Sequence, residues 1–341
     1  MKKILILLKK SENYGDYNDS GKPKAGLYNS AFFLYNALRK ITSVNLELCI
    51  DGNDIDNKIF KHKPDVCIIQ AIWVTPNKIK ELKNLYPNLK FIIMIHSKIP
   101  FLAMEGVAIS WIKEYNEIDN VEVGVNNFET SVDLNSIGIK NNYLPNLYKM
   151  IFKKYKYNFY KFLFFTKFKP KKEYNIGCFG AIRPMKNHLN QAVAAINFAN
   201  QNNATLNFYV NAGRVEQKGE NVLKNLIALF KDTKHNLIEV GWLDRIDFLQ
   251  LLSTMDLSMQ VSLTESFNIV AADSVLMEVP LVVSSEISWL SNGIADPNDV
   301  NSMICQMYKV LNNKKKYIRQ NLISLIRYNN KAFKIWLNEI K

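Results

Sequence analysis

The stretch Ser262-Leu263-Thr264-Glu265-Ser266-Phe267-Asn268-Ile269-Val270-Ala271-Ala272-Asp273-Ser274-Val275-Leu276-Met277-Glu278-Val279-Pro280-Leu281-Val282-Val283-Ser284 has an acid just beyond a strand-like run, Leu257–Val261. A second acid follows eight positions later. Between them lies a small, apolar, helix-compatible segment, and Pro280 then introduces another strand-like run. Strand, loop, helix, strand in that order is the signature of a parallel α/β unit. Eight residues are about two helical turns, so a helix over Ser266–Met277 would set Glu265 and Asp273 on roughly one face. Paired carboxylates suit a hydroxyl-rich ligand, because each accepts several hydrogen bonds. The competing reading is an N-terminal acid plus a solvated helical acid. Against it, Asp273 falls among Val270, Ala271, Ala272 and Val275, an uncommon setting for a solvated charge.

The same alternation extends in both directions. Upstream, strands are expected at Asn175–Phe179, Leu206–Val210 and Leu237–Val240, with helices at His188–Asn200, Asn221–Phe230 and Asp247–Ser253. In the first 147 residues, Lys3–Leu8, Leu46–Ile50, Asp65–Gln70, Phe91–Ile95 and Val121–Val125 read as strands. Leu27–Arg39, Pro76–Leu85, Ile99–Lys113 and Phe128–Asn135 read as helices. The continuous apolar character of Lys3–Leu8 is that of a strand buried on both faces. With 341 residues, two domains are expected. Their bounds are 1–147 and 174–320, joined by 148–173, with a terminal helix at 321–341. Two such halves imply two doubly wound, Rossmann-like domains facing a central cleft, with ligands outside the carboxyl ends of the strands.

Composition excludes several classes. Hydrophobic residues make up 48% and charged residues 22%, as in an ordinary globular chain, and no apolar run is long enough to span a bilayer. The first ten residues have too short an apolar core for a secretory signal, and no small-residue cleavage site follows. Cys49, Cys67, Cys178 and Cys305 show no paired spacing, so a reduced, cytoplasmic protein is expected. With only four scattered histidines, neither a metal site nor a cofactor is expected. No protein partner is implied.

The net charge is +13, and its position says more than its size. Residues 148–173 carry nine lysines against one acid, a net of +8. Here Lys153, Lys154 and Lys156 interleave with Phe152, Tyr155 and Tyr157. Lysines neutralise phosphates and aromatic rings stack on bases, so the segment suits DNA. It equally suits an anionic lipid surface as a peripheral membrane contact. A third reading is a linker whose rings pack on the domains.

Further candidate residues follow expected strands. Gly180-Ala181-Ile182-Arg183-Pro184-Met185-Lys186-Asn187 is a strand-to-helix turn, where free N–H groups and two cations favour an anion. Asn211–Arg214 follows another strand. His96 follows Phe91–Ile95, as either a hydrogen-bonded structural histidine or a catalytic one. Gly26, opening the first helix, is either a turn glycine or a point of close backbone approach.

Taken together, these residues resemble the GT-B glycosyltransferases of the retaining family-4 type. Glu265 to Asp273 is similar to that family's E-x7-E motif, with Asp for the second Glu. Met277 to Val283 resembles its A-x-G-x-P-V-V segment, with Glu278 at the glycine. Gly180 to Asn187 resembles its G-R-x-x-x-x-K-G turn, with Ala181 at the arginine. The resemblance implies a nucleotide-sugar donor, with Lys186 and Arg183 on its diphosphate and the backbone N–H groups of Ser266, Phe267, Asn268 and Ile269 on a phosphate. It implies Glu265 on the sugar hydroxyls and Asp273 on the ribose, with Gly26 and His96 at the donor-approach loop and the donor sugar. It implies retention of configuration without a metal. More loosely, Gln70–Pro76, His96–Phe101 and Gly180–Pro184 resemble a subgroup common in phage genomes, which implies hydroxymethylated DNA bases as acceptor. A lipid-linked or cell-surface glycan is the alternative acceptor, and a degenerate GT-B nucleic-acid-binding module the non-enzymatic alternative.

Overall fold

Five consecutive residues, Ile4 to Leu8, are at most 1% exposed, because their strand is central in an all-parallel sheet. A computed structural model describes residues 2–10, 26–149, 170–241 and 243–340. The described chain divides into two compact units. One comprises residues up to Lys149 together with Asn329 onward, and the other the residues between, up to Tyr328.

The first unit runs β1 (Lys3–Lys9), α1 (Gly26–Leu38), β2 (Ser43–Cys49), α2 (Asp54–His62), β3 (Val66–Gln70), α3 (Pro76–Leu85), β4 (Lys90–Ile95), α4 (Ile99–Leu102), α5 (Ala108–Asn116), β5 (Val121–Val125), α6 (Phe128–Ser136) and β6 (Asn142–Tyr143). Its sheet has the order β2-β1-β3-β4-β5-β6, with every pair parallel. The second unit runs β7 (Glu173–Ile182), a 3-10 turn (Pro184–Lys186), α7 (His188–Gln201), β8 (Thr205–Val215), α8 (Gly219–Phe230), β9 (Asn236–Glu239), α9 (Arg245–Ser253), β10 (Leu257–Gln260), α10 (Ile269–Leu276), β11 (Leu281–Val283) and α11 (Val300–Asn312). Its order is β11-β10-β7-β8-β9, again all parallel. The chain winds outward from β7 through β8 and β9, then returns to the other side for β10 and β11. The winding therefore reverses between β7 and β10, the switch point beside which sheets of this kind bind ligands at the carboxyl ends of their strands.

The last helix, α12 (Lys314–Ile340), belongs to the second unit up to Tyr328 and to the first from Asn329. It starts seven residues before the expected Asn321. Its apolar spacing buries Leu325, Ala332 and Trp336, and the Trp336 indole N–H donates to the Pro145 carbonyl at 2.7 Å. The single helix expected over Ile99–Lys113 is two, because Ala103–Val107, with Gly106, interrupts it. The helix expected over Ser266–Met277 is shorter at both ends. Helices α2 and α11 and strand β6 were not read from the sequence. Among the described residues, no helix is long and apolar enough to cross a membrane. Cys49, Cys67 and Cys178 are buried thiols.

Helix α10 ends in a Schellman pair of bonds, Val279 N–H to Ser274 O at 2.9 Å and Glu278 N–H to Val275 O at 3.2 Å. This geometry puts Glu278 at φ 58°, a conformation that costs a side-chain-bearing residue about 1–2 kcal/mol. Glu278→Gly removes that strain but adds unfolded-chain entropy. We expect a net gain of about 0.5–1 kcal/mol in urea denaturation. A loss would show that the Glu278 side chain contributes elsewhere.

Candidate functional site

Strands β7 and β10 pair only at Leu257 with Ile176 and at Ser258 with Gly177. Beyond those pairs they diverge, while β10 stays on β11 as far as Gln260 opposite Val283. Backbone groups in such a split still need partners, and buried amide side chains supply them. Gln260 donates through Nε2 to the Phe179 carbonyl at 3.0 Å. The Val261 N–H donates to Gln191 Oε1 at 2.8 Å. Asn187 Nδ2 donates to the carbonyls of Val261 and Pro297 at 3.1 and 2.7 Å. Gln191, reaching back from α7, also donates to the Lys186 carbonyl at 2.8 Å.

Two segments flank the split. The last residues of β7, ahead of the turn, include Gly180, whose φ of 118° only glycine adopts without strain. Its N–H donates to Asn211 Oδ1 at 2.8 Å. The turn ends at Asn187, φ 59°. The loop after β10 docks on it through Leu263 N–H to Met185 O, 2.9 Å. That contact brings the two expected charges together, and Lys186 Nζ pairs with Glu265 Oε2. Both side chains keep a little exposure, 19% and 13%.

Asn268 organises the loop. It sits at φ 58° and caps α10, with Oδ1 accepting from Ala271 N–H at 2.8 Å. Its Nδ2 donates to Gln260 Oε1 at 2.9 Å and Glu265 Oε2 at 3.1 Å. Helix α10 therefore begins only at Ile269, and Glu265 lies in the loop ahead of it. The expectation of two acids on one helical face is corrected on this point. Ser266 N–H turns to Glu265 Oε1 at 3.3 Å. Phe267 is an anchor, its ring stacked against both Trp289 and Tyr328, which also meet each other, and its carbonyl accepting from Trp289 Nε1 at 2.7 Å.

Asp273 is 2% exposed, as its apolar neighbours suggested, and its carboxylate is gripped by Arg245 of α9. The two contacts are Nη1 to Oδ2 at 3.1 Å and Nη2 to Oδ1 at 2.6 Å. A buried carboxylate needs such a partner, but nothing local in the sequence says which cation supplies it. Arg183 pairs with Glu216 at 2.5 Å, and Glu216 also pairs with Arg214. His188, at the start of α7, is 1% exposed. Burial, with Lys186 nearby, lowers its pKa to about 3, against an opposing hydrogen bond with the Arg183 backbone.

In the first unit, His96 and Gly26 are joined by one chain of hydrogen bonds. His96 Nε2 meets Gln70 Oε1 at 2.7 Å, and Asn126 Nδ2 meets His96 Nδ1 at 3.4 Å. With the amides so placed, the ring is neutral with its proton on Nε2. Asn126 continues to Asn146 at 3.4 Å, Asn146 to Ser30 at 3.3 Å, and Ser30 to the Gly26 carbonyl at 3.2 Å. Burial lowers the His96 pKa to about 4, against an opposing hydrogen bond with the Asn146 side chain. Among the described residues, nothing lies within 4 Å of a would-be Cβ at Gly26. Lys153, Lys154 and Lys156 lie outside the described residues.

Two doubly wound, all-parallel units of this order make the GT-B fold. The chain is similar to the OtsA apo structure, with a TM-score of 0.70 at 12% identity over 99% of both chains. It is similar to Anabaena HepE in complex with UDP and glucose, with a TM-score of 0.63 at 12% identity over 99% of this chain and 100% of that one. S. aureus TarM in a complex containing UDP has a TM-score of 0.59 at 15% identity, covering 80% of this chain and 54% of that one. No protein-family model and no curated protein matches the sequence.

The unfolded-state imidazole of His188 takes up a proton near pH 6.5 and the folded one only at about 3. Between those values the unfolded chain binds more protons, so stability falls as pH drops, by up to about 1.4 kcal/mol per pH unit. His188→Leu removes this dependence. Denaturation at pH 7, 5.5 and 4.5 should therefore show the variant gaining on the wild type as pH falls. A constant difference would place the neutral-imidazole account in error.

Proposed function

We propose that the chain is a glycosyltransferase that takes a sugar from a nucleotide-sugar and places it, with retained configuration, on an acceptor hydroxyl. The observation carrying this reading is the Lys186–Glu265 pair at the β7/β10 split. A cation beside the split serves a leaving diphosphate, and an acid serves sugar hydroxyls. Structures similar to this chain include a trehalose-6-phosphate protein from E. coli bound with UDP-2-fluoro glucose and the UDP and glucose complex of HepE.

In this reading Lys186 and Arg183 hold the diphosphate, and their charge does the work for which other enzymes use a metal ion. Glu265 accepts from sugar hydroxyls. N–H groups of the Ser266–Ile269 segment meet a phosphate at the start of α10. Asp273 meets the ribose as a carboxylate already oriented by Arg245. The bond from the anomeric carbon to the phosphate oxygen breaks as the bond to the acceptor oxygen forms. The acceptor proton passes to the leaving phosphate, so no separate protein base is required.

For the acceptor we favour hydroxymethylated bases in DNA. The concentration of +8 of the net +13 charge in residues 148–173, interleaved with aromatic residues, supports this choice.

A thermal-shift screen of nucleotide-sugars should find one that stabilises the protein, by about 2.7 kcal/mol at 100 times its Kd. Glu265→Ala should lower its turnover about 100-fold or more. If no nucleotide-sugar is bound or hydrolysed, the enzymatic reading falls. Binding to duplex DNA should weaken with salt, and replacing Lys153, Lys154 and Lys156 with Gln should reduce the salt slope by about 3. An unchanged slope would remove DNA phosphates from that segment's role and favour a glycan acceptor.

A further inference from the structure

We propose that Arg214 supplies a second guanidinium to the diphosphate subsite, and that Glu216 occupies this subsite until a phosphate displaces it. The inference rests on the nucleotide-sugar reading above.

The turn after β7 offers little charge of its own beyond Arg183 and Lys186, since position 181 is an alanine, 6% exposed. Arg214 is brought to it by an irregularity in the sheet. Ala181 pairs with Asn211, but the next residue, Ile182, pairs with Val215. Ala212, Gly213 and Arg214 therefore have no counterpart on β7 and bulge from the ladder at the carboxyl edge. Bulges in such places re-aim side chains.

Glu216 then closes the arrangement. Its N–H donates to the Ile182 carbonyl at 3.1 Å, and its two carboxylate oxygens take one arginine each, Arg183 and Arg214. The next residues hold it there. Gln217 and Lys218 both adopt positive φ, 49° and 66°, a strained pair of non-glycine residues. Gly219 follows so close that a Cβ would lie 2.0 Å from the Ile182 oxygen, which pins the start of α8 against the turn.

Two guanidinium groups sharing one carboxylate leave a net positive charge. All three side chains keep 20–25% exposure, so an anion from solvent can reach them. A diphosphate carries at least two negative charges and at least four non-bridging oxygens, against one charge and two oxygens on a carboxylate, so it matches two arginine forks better. Glu216 thus keeps two like charges together in the ligand-free protein and yields to the stronger anion.

The test is calorimetric titration of the full chain with inorganic pyrophosphate, with UDP, GDP and ADP, and with the matching nucleosides. Arg214→Ala should weaken pyrophosphate and the preferred nucleoside diphosphate about 10-fold or more, and leave the nucleoside unchanged. Arg214→Lys should recover part of the loss. Glu216→Gln should tighten both anions about 3-fold or more, because a competing charge is gone. If Arg214→Ala leaves both Kd values unchanged, or Glu216→Gln weakens them, the proposal is overturned. That result with UDP, GDP or ADP still bound leaves the nucleotide-sugar reading standing. Pyrophosphate binding that depends on Arg214, with no nucleotide bound, supports the arginine pair and overturns the nucleotide-sugar reading. Binding of neither overturns both.

Discussion

The parting of β7 from β10 is the constraint on which the second unit depends. Two parallel strands that stop pairing expose carbonyl and N–H groups inside a protein, where unmade hydrogen bonds are expensive. Three buried amide side chains, Gln191, Gln260 and Asn187, replace the missing ladder, and Asn268 holds the Gln260 amide in place. Each is tied to a segment beside the split, so the same bonds that satisfy the backbone also position Lys186 and Glu265. Rigidity and charge placement thus come from one network.

A second theme is the use of side chains where a left-handed backbone would ordinarily take glycine. Asn187 and Asn268 both adopt positive φ, and asparagine tolerates this better than other side chains because it bonds locally. Each makes use of its amide, Asn187 across the split and Asn268 as both helix cap and Glu265 partner. Glu278 takes the same conformation within a turn whose bonds are all backbone. The strain at Glu278 is therefore of a different kind from that at the asparagines.

The charged groups near the turn after β7 and the start of α10 are paired with one another, four cations on three carboxylates. Lys186 pairs with Glu265, Arg183 and Arg214 with Glu216, and Arg245 with Asp273. Such pairing keeps partly buried charges soluble in a low-dielectric setting. It also means that an anionic ligand here would exchange partners and would not meet bare cations.

Much of the architecture was legible in the residues themselves. Continuous apolar runs such as Ile4–Leu8 and Leu281–Val283 announce buried parallel strands, and Thr75-Pro76 announces the start of α3, where the Thr75 hydroxyl caps the helix. The turn at Gly180 and the buried setting of Asp273 were equally visible, because both depend on neighbours in sequence. Helix α2 was missed: most of its residues are polar, and only Ile55 and Ile59 face the core. The start of α10 was misplaced because Asn268 leaves the helical conformation at positive φ and caps Ala271, while its other amide end is held by Gln260, eight residues away. Residue types and their local order determined the two α/β units and the candidate acids and cations. Only the tertiary structure decided which charges meet. Arg245 and Asp273, or Arg183 and Glu216, lie about 30 residues apart in the chain, and strand order and a bulge, not spacing, bring them together.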